Sequence, residues 1–243
     1  MLHLLPQHPR SNNSTKNWLM CSVCFLELHP GYRPMHAKGI VCEGTFVPAA
    51  AAASLSRAPH FQRESVPVTV RFSDSTGLPD IPDGDPNASP RGLGIKFHLP
   101  GGAEADIIAH SVNAFPVGTA EEFLELLQAV AASGPGAPKP TPIEAFLGTH
   151  PRALKFVTAP KPAPASFASE SYYAMNAFRF TNRDGVSRHA RYQIHPADGE
   201  ALSPTRKRPS GRRIISSMNS LSTCSAAPWS CGWLRNSPSR AVP

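Results

Sequence analysis

Charge is sparse in this 243-residue chain: Asp, Glu, Lys and Arg together make up 17%, below the ~25% of an average globular domain. No apolar run reaches the ~18 residues that a membrane-crossing helix needs. Cysteine is rare and odd in number, with five residues at 21, 24, 42, 224 and 231. With no secretory pattern beside them, they do not form the framework of a disulfide scaffold. Cys21-Ser-Val-Cys24 has half of a zinc-site spacing, but no second pair of Cys or His follows at the right distance, so it reads as two free thiols. Tyrosine occurs only at 32, 172, 173 and 192. Acids are missing altogether beyond residue 203, where seven basic residues gather; this leaves 17 basic and 17 acidic residues in 1–203. The formal charge of +7 therefore belongs to the tail, and a neutral body gives no electropositive face for nucleic acid.

Proline and glycine are plentiful, at 27 and 17 residues, and the hydrophobic fraction is 41%. The expectation is a loop-rich chain with enough apolar material for a packed core. Three zones differ in composition. Residues 1–28 are an irregular leader. Its short apolar stretch Trp18–Leu28 is interrupted by Glu27 and lacks a small-residue cleavage site, so a signal peptide is not expected. The cytoplasm is the expected compartment, with the periplasm left open. Residues 29–203 alternate strand-like and helix-like patterns. Residues 204–243 are rich in Ser and Arg, and we expect a solvated, disordered tail; binding of nucleic acid or an anionic membrane by Arg206–Arg213 is the less favoured reading.

Within the middle zone, Ile40–Val47 is strand-like. Val66, Val68, Val70 and Phe72 alternate with Thr69, Arg71 and Ser73, the period of a half-buried strand. Leu93, Ile95, Phe97 and Leu99 repeat the pattern before Pro100-Gly-Gly, and Ala105–Ser111 is a further candidate. Ala177–Thr181 and Val186–Ile194 flank Asn182-Arg-Asp-Gly185, whose Asp-Gly supplies a positive-φ turn, so a hairpin is predicted. Thr119-Ala-Glu-Glu122 and Thr141-Pro-Ile-Glu144 are capping boxes, each opening a helix. The first of these carries the stripe Phe123, Leu126, Leu127 and Val130 and stops by Gly134-Pro135. Strands followed by segregated helices imply an α+β body.

One loop stands out chemically. Arg33-Pro-Met-His36-Ala-Lys-Gly39 places an imidazole among small residues with cations on both sides. That could be a base beside a bound anion or a structural loop histidine.

The ordered set of motifs goes further. Arg33-x-x-His36-Ala-Lys-Gly, then Val70-Arg-Phe-Ser73, then Asp85-Pro-Asn-Ala-Ser-Pro-Arg-Gly-Leu-Gly-Ile-Lys-Phe-His98, Asp106-Ile-Ile, Phe115-Pro-Val and Asn176-Ala-Phe-Arg-Phe-Thr-Asn182 resembles the haem catalases. The short connections resemble the small catalase-related peroxidases, and the likeness covers 29–203. It implies a haem-catalase β-barrel with surrounding helices, here incomplete, with haem (iron protoporphyrin) as cofactor. It also implies peroxide and a small-molecule reductant as partners, with no nucleic acid and no membrane, and it leaves a homo-oligomer open. By this resemblance His36 is the distal base and Ser73 the hydroxyl that sets its tautomer. Arg33 and Arg71 hold the propionates, for which a planar bidentate cation is suited. Met35 lines the pocket. Asn113 orients peroxide if the loop shifts, since a gapless reading puts Ser111 there. No metal ligand is assigned: the family's iron is held by a tyrosinate, and none of the four tyrosines matches that motif. The leading function is a haem-dependent peroxidase. The alternatives are a truncated, non-catalytic remnant and a haem carrier without turnover.

The likeness ends near Leu202-Ser203. The acid-free composition beyond it is what a shifted reading frame in GC-rich DNA produces. The expectation is that resequencing the gene around codon 203 reveals a family-like continuation in another frame; an unbroken frame with no such continuation removes the idea.

Overall fold

The computed structural model describes residues 29–203. The leader with its Cys21–Cys24 pair and the basic tail lie outside the described residues. Two compact units share the chain. One takes in 29–37, Thr76–Pro79 and Ala114–Pro160; the other takes in Lys38–Ser75, Asp80–Asn113 and 161–203. No helix among the described residues is long and apolar enough to cross a membrane.

The second unit is built on a six-stranded antiparallel sheet. Its strands are β1 (Gly39–Phe46), β2 (Val66–Ser73), β3 (Gly92–His98), β4 (Glu104–His110), β5 (Tyr172–Ala174) and β8 (Gln193–Ile194), hydrogen-bonded in that order. A four-residue helix, α1 (Ala52–Leu55), lies in the β1–β2 connection. The register stacks the alternating apolar residues across the sheet: Ile40 faces Phe72, Val70 faces Ile95, and Ile95 faces Ile107. Val66, Phe72, Leu93, Phe97, Ile107, Tyr172 and Ile194 are buried together on that face. Each such side chain contributes about 1.5–3 kcal/mol by leaving water. Among the described residues the sheet is open, with β1 and β8 at its edges, in keeping with an incomplete barrel.

The predicted hairpin forms as β6 (Phe178–Thr181) and β7 (Ser187–Ala190). Gly185 adopts φ +82°, and Asn182 caps the turn by accepting the Val186 N–H at 2.9 Å. The single strand expected over Val186–Ile194 is instead split in two. Tyr192 packs against Phe178 and Phe180, with ring centroids 5.1 and 5.5 Å away. Its carbonyl accepts the Ala174 N–H at 2.9 Å, so the chain leaves β6 and joins β5 as β8. Strand β5 and the turn of helix at Pro100–Gly102 carry no separate signal in the sequence.

The other unit holds three helices: α2 (Ala120–Ala131), α3 (Pro142–Thr149) and α4 (Pro151–Thr158). Both expected capping boxes are complete in both directions. Helix α2 buries Leu126, which packs with Val117, Phe146 and Ala153, and with Phe123 and Ile143 at the margin. Val130 falls outside this cluster and is exposed, and α2 ends at Ala131, short of Gly134. Ser133 stitches α2 to α3: its hydroxyl donates to Ala129 O at 2.6 Å and accepts the Ile143 N–H at 2.8 Å. Helix α4 has no signature of its own in the sequence, because Pro151 so soon after α3 reads as a stop rather than a new start.

Replacing Thr119 by Ala is expected to cost about 1 kcal/mol of stability, and T119S to retain most of it. Chemical denaturation of the two variants, followed by circular dichroism, measures the difference.

Candidate functional site

Each proposed residue is placed by its own unit. In the helical unit, Arg33, Met35 and His36 lie in the loop at 29–37. Tyr32 N–H bonds to His29 O at 3.0 Å, and Ala37 N–H bonds to Thr76 O at 3.0 Å. Arg33 is exposed, while Met35 and His36 are half-buried. His36 has φ +55° and is the only non-glycine with positive φ among the described residues. That left-handed geometry costs an L-residue about 1 kcal/mol.

In the sheet unit, Arg71 and Ser73 share the face of β2 opposite the apolar core, as alternation requires. Ser73 pairs with Gly39 on one side and Gly92 on the other, while Arg71 pairs with Val41 and Gly94. Two glycines therefore flank the Ser73 hydroxyl, and one flanks Arg71. Gly39 cannot be enlarged, since a Cβ there would sit 2.3 Å from Phe72 O and 3.0 Å from Arg71 Nη2. On this face Arg71 is half-buried and Ser73 is buried, and Val41, Ile108 and His110 share it with them. The Arg71 guanidinium lies over Gly39, where a planar cation can meet an anionic group.

Behind this face lies a buried ionic cluster that residue patterns do not reveal. Asp74, which follows Ser73, is fully buried. Arg91 Nε stands 3.6 Å from Asp74 Oδ1, and Lys38 Nζ stands 4.0 Å from Asp74 Oδ2 and 2.5 Å from Asp83 Oδ1. Lys38 also donates to Ile81 O at 2.7 Å, and Arg91 to Asp83 O and Ser89 Oγ. Two acids and two cations from four chain segments thus meet beneath the Ser73 face. Burial, reinforced by the neighbouring Asp83 carboxylate, pushes the Asp74 carboxyl up to about 7. Glu170 is likewise raised to about 7 by burial. The only hint in the sequence is how few acids the chain has to spare.

Ser111 and Asn113, in the loop after β4, differ in their surroundings. Ser111 is taken up structurally: its Oγ accepts the Arg91 N–H at 3.0 Å, its own N–H donates to Arg91 O at 2.9 Å, and it bonds the Glu170 carboxyl. Asn113 is exposed. His110, which no sequence motif marks, faces Gly92 across the sheet and so lies on the Ser73 side. Its Nδ1 accepts the Val112 N–H at 3.2 Å, which leaves the proton on Nε2.

Haem also needs an axial ligand. Tyr172 is completely buried, and its hydroxyl donates to Phe167 O at 2.9 Å. Burial pushes that phenol far above its ordinary range, and raises Tyr173 too. Tyr192 is packed among Phe178 and Phe180, and Tyr32 is 58% exposed. Arg71 would suit the anionic edge of a haem, whereas the buried Tyr172, engaged with Phe167, would not serve as its axial oxygen.

The raised carboxyls set the pH dependence of stability. A folded state that holds protons on Asp74 and Glu170 up to about pH 7 binds more protons than the unfolded chain above about pH 4. Stability is then greatest below that point and falls as pH rises toward 7. D74N is expected to flatten this slope, as thermal melts between pH 4.5 and 7.5 would show.

The family model for catalase matches residues 30–208. Over 174 residues the chain is 38% identical to a catalase-related peroxidase of Mycolicibacterium paratuberculosis, covering 70% of this chain and 54% of that protein. It is 36% identical over 173 residues to a catalase-related peroxidase of Synechococcus elongatus, covering 70% of this chain and 50% of that one. The chain therefore spans about half the length of the curated relatives it matches. In three dimensions it is similar to a fungal catalase, with a TM-score of 0.60, 18% identity, and coverage of 83% of this chain and 40% of that one. Catalase A from Saccharomyces cerevisiae gives a TM-score of 0.61 at 19% identity, covering 73% of this chain and 37% of that one. The open antiparallel sheet is a partial catalase fold, and the chain belongs to the catalase family.

Proposed function

We propose that this chain carries the peroxide-handling residues of a haem-dependent peroxidase, with His36 as its acid–base group. The observation that carries the reading is the φ of +55° at His36. A strained non-glycine residue is kept where the side chain is needed, and its motif neighbours are those of the family. Haem, when bound, supplies the iron chemistry at which peroxide is reduced, and a small-molecule reductant supplies the electrons. The imidazole takes a proton from one peroxide oxygen and returns it to the departing oxygen, a task for which neutral His is well matched near pH 7. Ser73 keeps the tautomer-setting role that its match to the family hydroxyl implies. Arg33 and Arg71 are the proposed partners of the propionates, Met35 is the proposed apolar lining, and Asn113 is the proposed group for orienting peroxide. Hydrogen peroxide and organic peroxides are the proposed substrates.

A second reading has its own support. Tyr172 is buried and engaged with Phe167, and no tyrosine matches the family's ligand motif, which favours a chain that binds haem weakly and does not turn over.

Haem titration of the 243-residue chain, followed by peroxide consumption, separates the two. For the enzyme, saturable binding with a peroxide-responsive absorbance spectrum is expected. Replacing His36 by Gly is then expected to leave stability unchanged or slightly higher, since the strain is relieved. The same change should lower turnover by about 10²–10⁴-fold. Absorbance identical to free haemin would establish the second reading.

A further inference from the structure

The core face of the sheet unit encloses a cavity of about 80 Å³, several times the roughly 10–15 Å³ that admits one water. Its walls are almost wholly apolar, with Phe46, Phe61, Phe97 and Ile107 among them, and His60 is one of the few polar exceptions. His60 is only 8% exposed. Neither of its ring nitrogens has a hydrogen-bond partner among the described residues. The ring is instead gripped by aromatics: it stacks on Phe97 at 4.7 Å and lies 4.3 Å from Phe61, with Phe46 edge-on at 6.1 Å. A buried polar group without a partner is costly, and aromatic packing alone would be served as well by phenylalanine.

We propose that this cavity is a binding site for a small neutral aromatic alcohol of the phenol class, anchored through its hydroxyl by His60. The aromatic walls offer offset and edge-on contacts to one further ring. Burial holds the His60 pKa below its ordinary value, so the imidazole is neutral at pH 7 and presents one donor and one acceptor. A hydroxyl, itself both donor and acceptor, matches it, whereas a carboxylate finds no charge to pair with. Within the sheet unit the site is separate from Arg71 and Ser73. Val70 and Phe72 of β2 line this cavity, while Arg71 and Ser73 alternate to the other face.

The test compares phenol with toluene, its isostere without the hydroxyl, titrated into the full 243-residue chain and followed by calorimetry. Long-range proton–nitrogen NMR of the histidine rings accompanies both titrations. Saturable phenol binding that shifts one imidazole pair is expected, with toluene leaving those nitrogens unmoved. In His60→Phe that resonance pair should vanish, and the ratio of phenol to toluene affinity should fall by about tenfold. The proposal is overturned if phenol does not saturate, or if wild type binds toluene tenfold more tightly than phenol, as an apolar hole would. An unchanged ratio in His60→Phe would overturn it equally. The wild-type comparison decides the matter even where the variant does not fold.

Discussion

The period-two alternation of β2 is the constraint on which the rest depends. Val66, Val68, Val70 and Phe72 point into the core, so Arg71 and the buried Ser73 lie on the opposite face. Sliding the strand by one residue would bury the guanidinium and expose Phe72, at a cost no loop could offset. Because β1 and β3 are registered on β2, the same constraint brings Gly39, Gly92 and Gly94 alongside the two polar side chains. Core packing and the character of the polar face are therefore one decision, made by a single strand.

The ionic cluster is the second support. Lys38, Asp74, Asp83 and Arg91 come from four segments and meet where water is excluded. Buried pairs of this kind add little net stability, yet removing one member is punishing because its partner is left uncompensated. Their value here is positional. Lys38 O accepts the Asp74 N–H at 3.1 Å, and the Lys38 side chain reaches back to Asp83. The end of β2, where Ser73 sits, is thus tied to the start of β1 by backbone and by charge.

Strain and exposure divide the other candidates. His36 is held in a conformation that Gly would adopt freely. Asn113 is exposed, whereas Ser111 is engaged by Arg91 and Glu170. The aromatic cavity around His60 keeps a polar ring where packing alone would choose an apolar one.

Residue spacing by itself determined a good deal: β2, β3, the hairpin turn at Asn182–Gly185, both capping boxes and the α+β class. These are local signals, carried by side-chain period, by a hydroxyl three residues ahead of a carboxylate, or by glycine's freedom at positive φ. The ordered motifs likewise marked the catalase family, and they put forward His36, Arg71 and Ser73 as its proposed site residues. Only the tertiary structure decided the rest. Burial, not sequence distance, raises Asp74 and Glu170, assembles Lys38 with Arg91, and leaves His60 without a partner. The break of Val186–Ile194 into β7 and β8 follows the same rule. Alternation within that segment permits one long strand, but Tyr192 finds its aromatic partners only after the chain has crossed to β5.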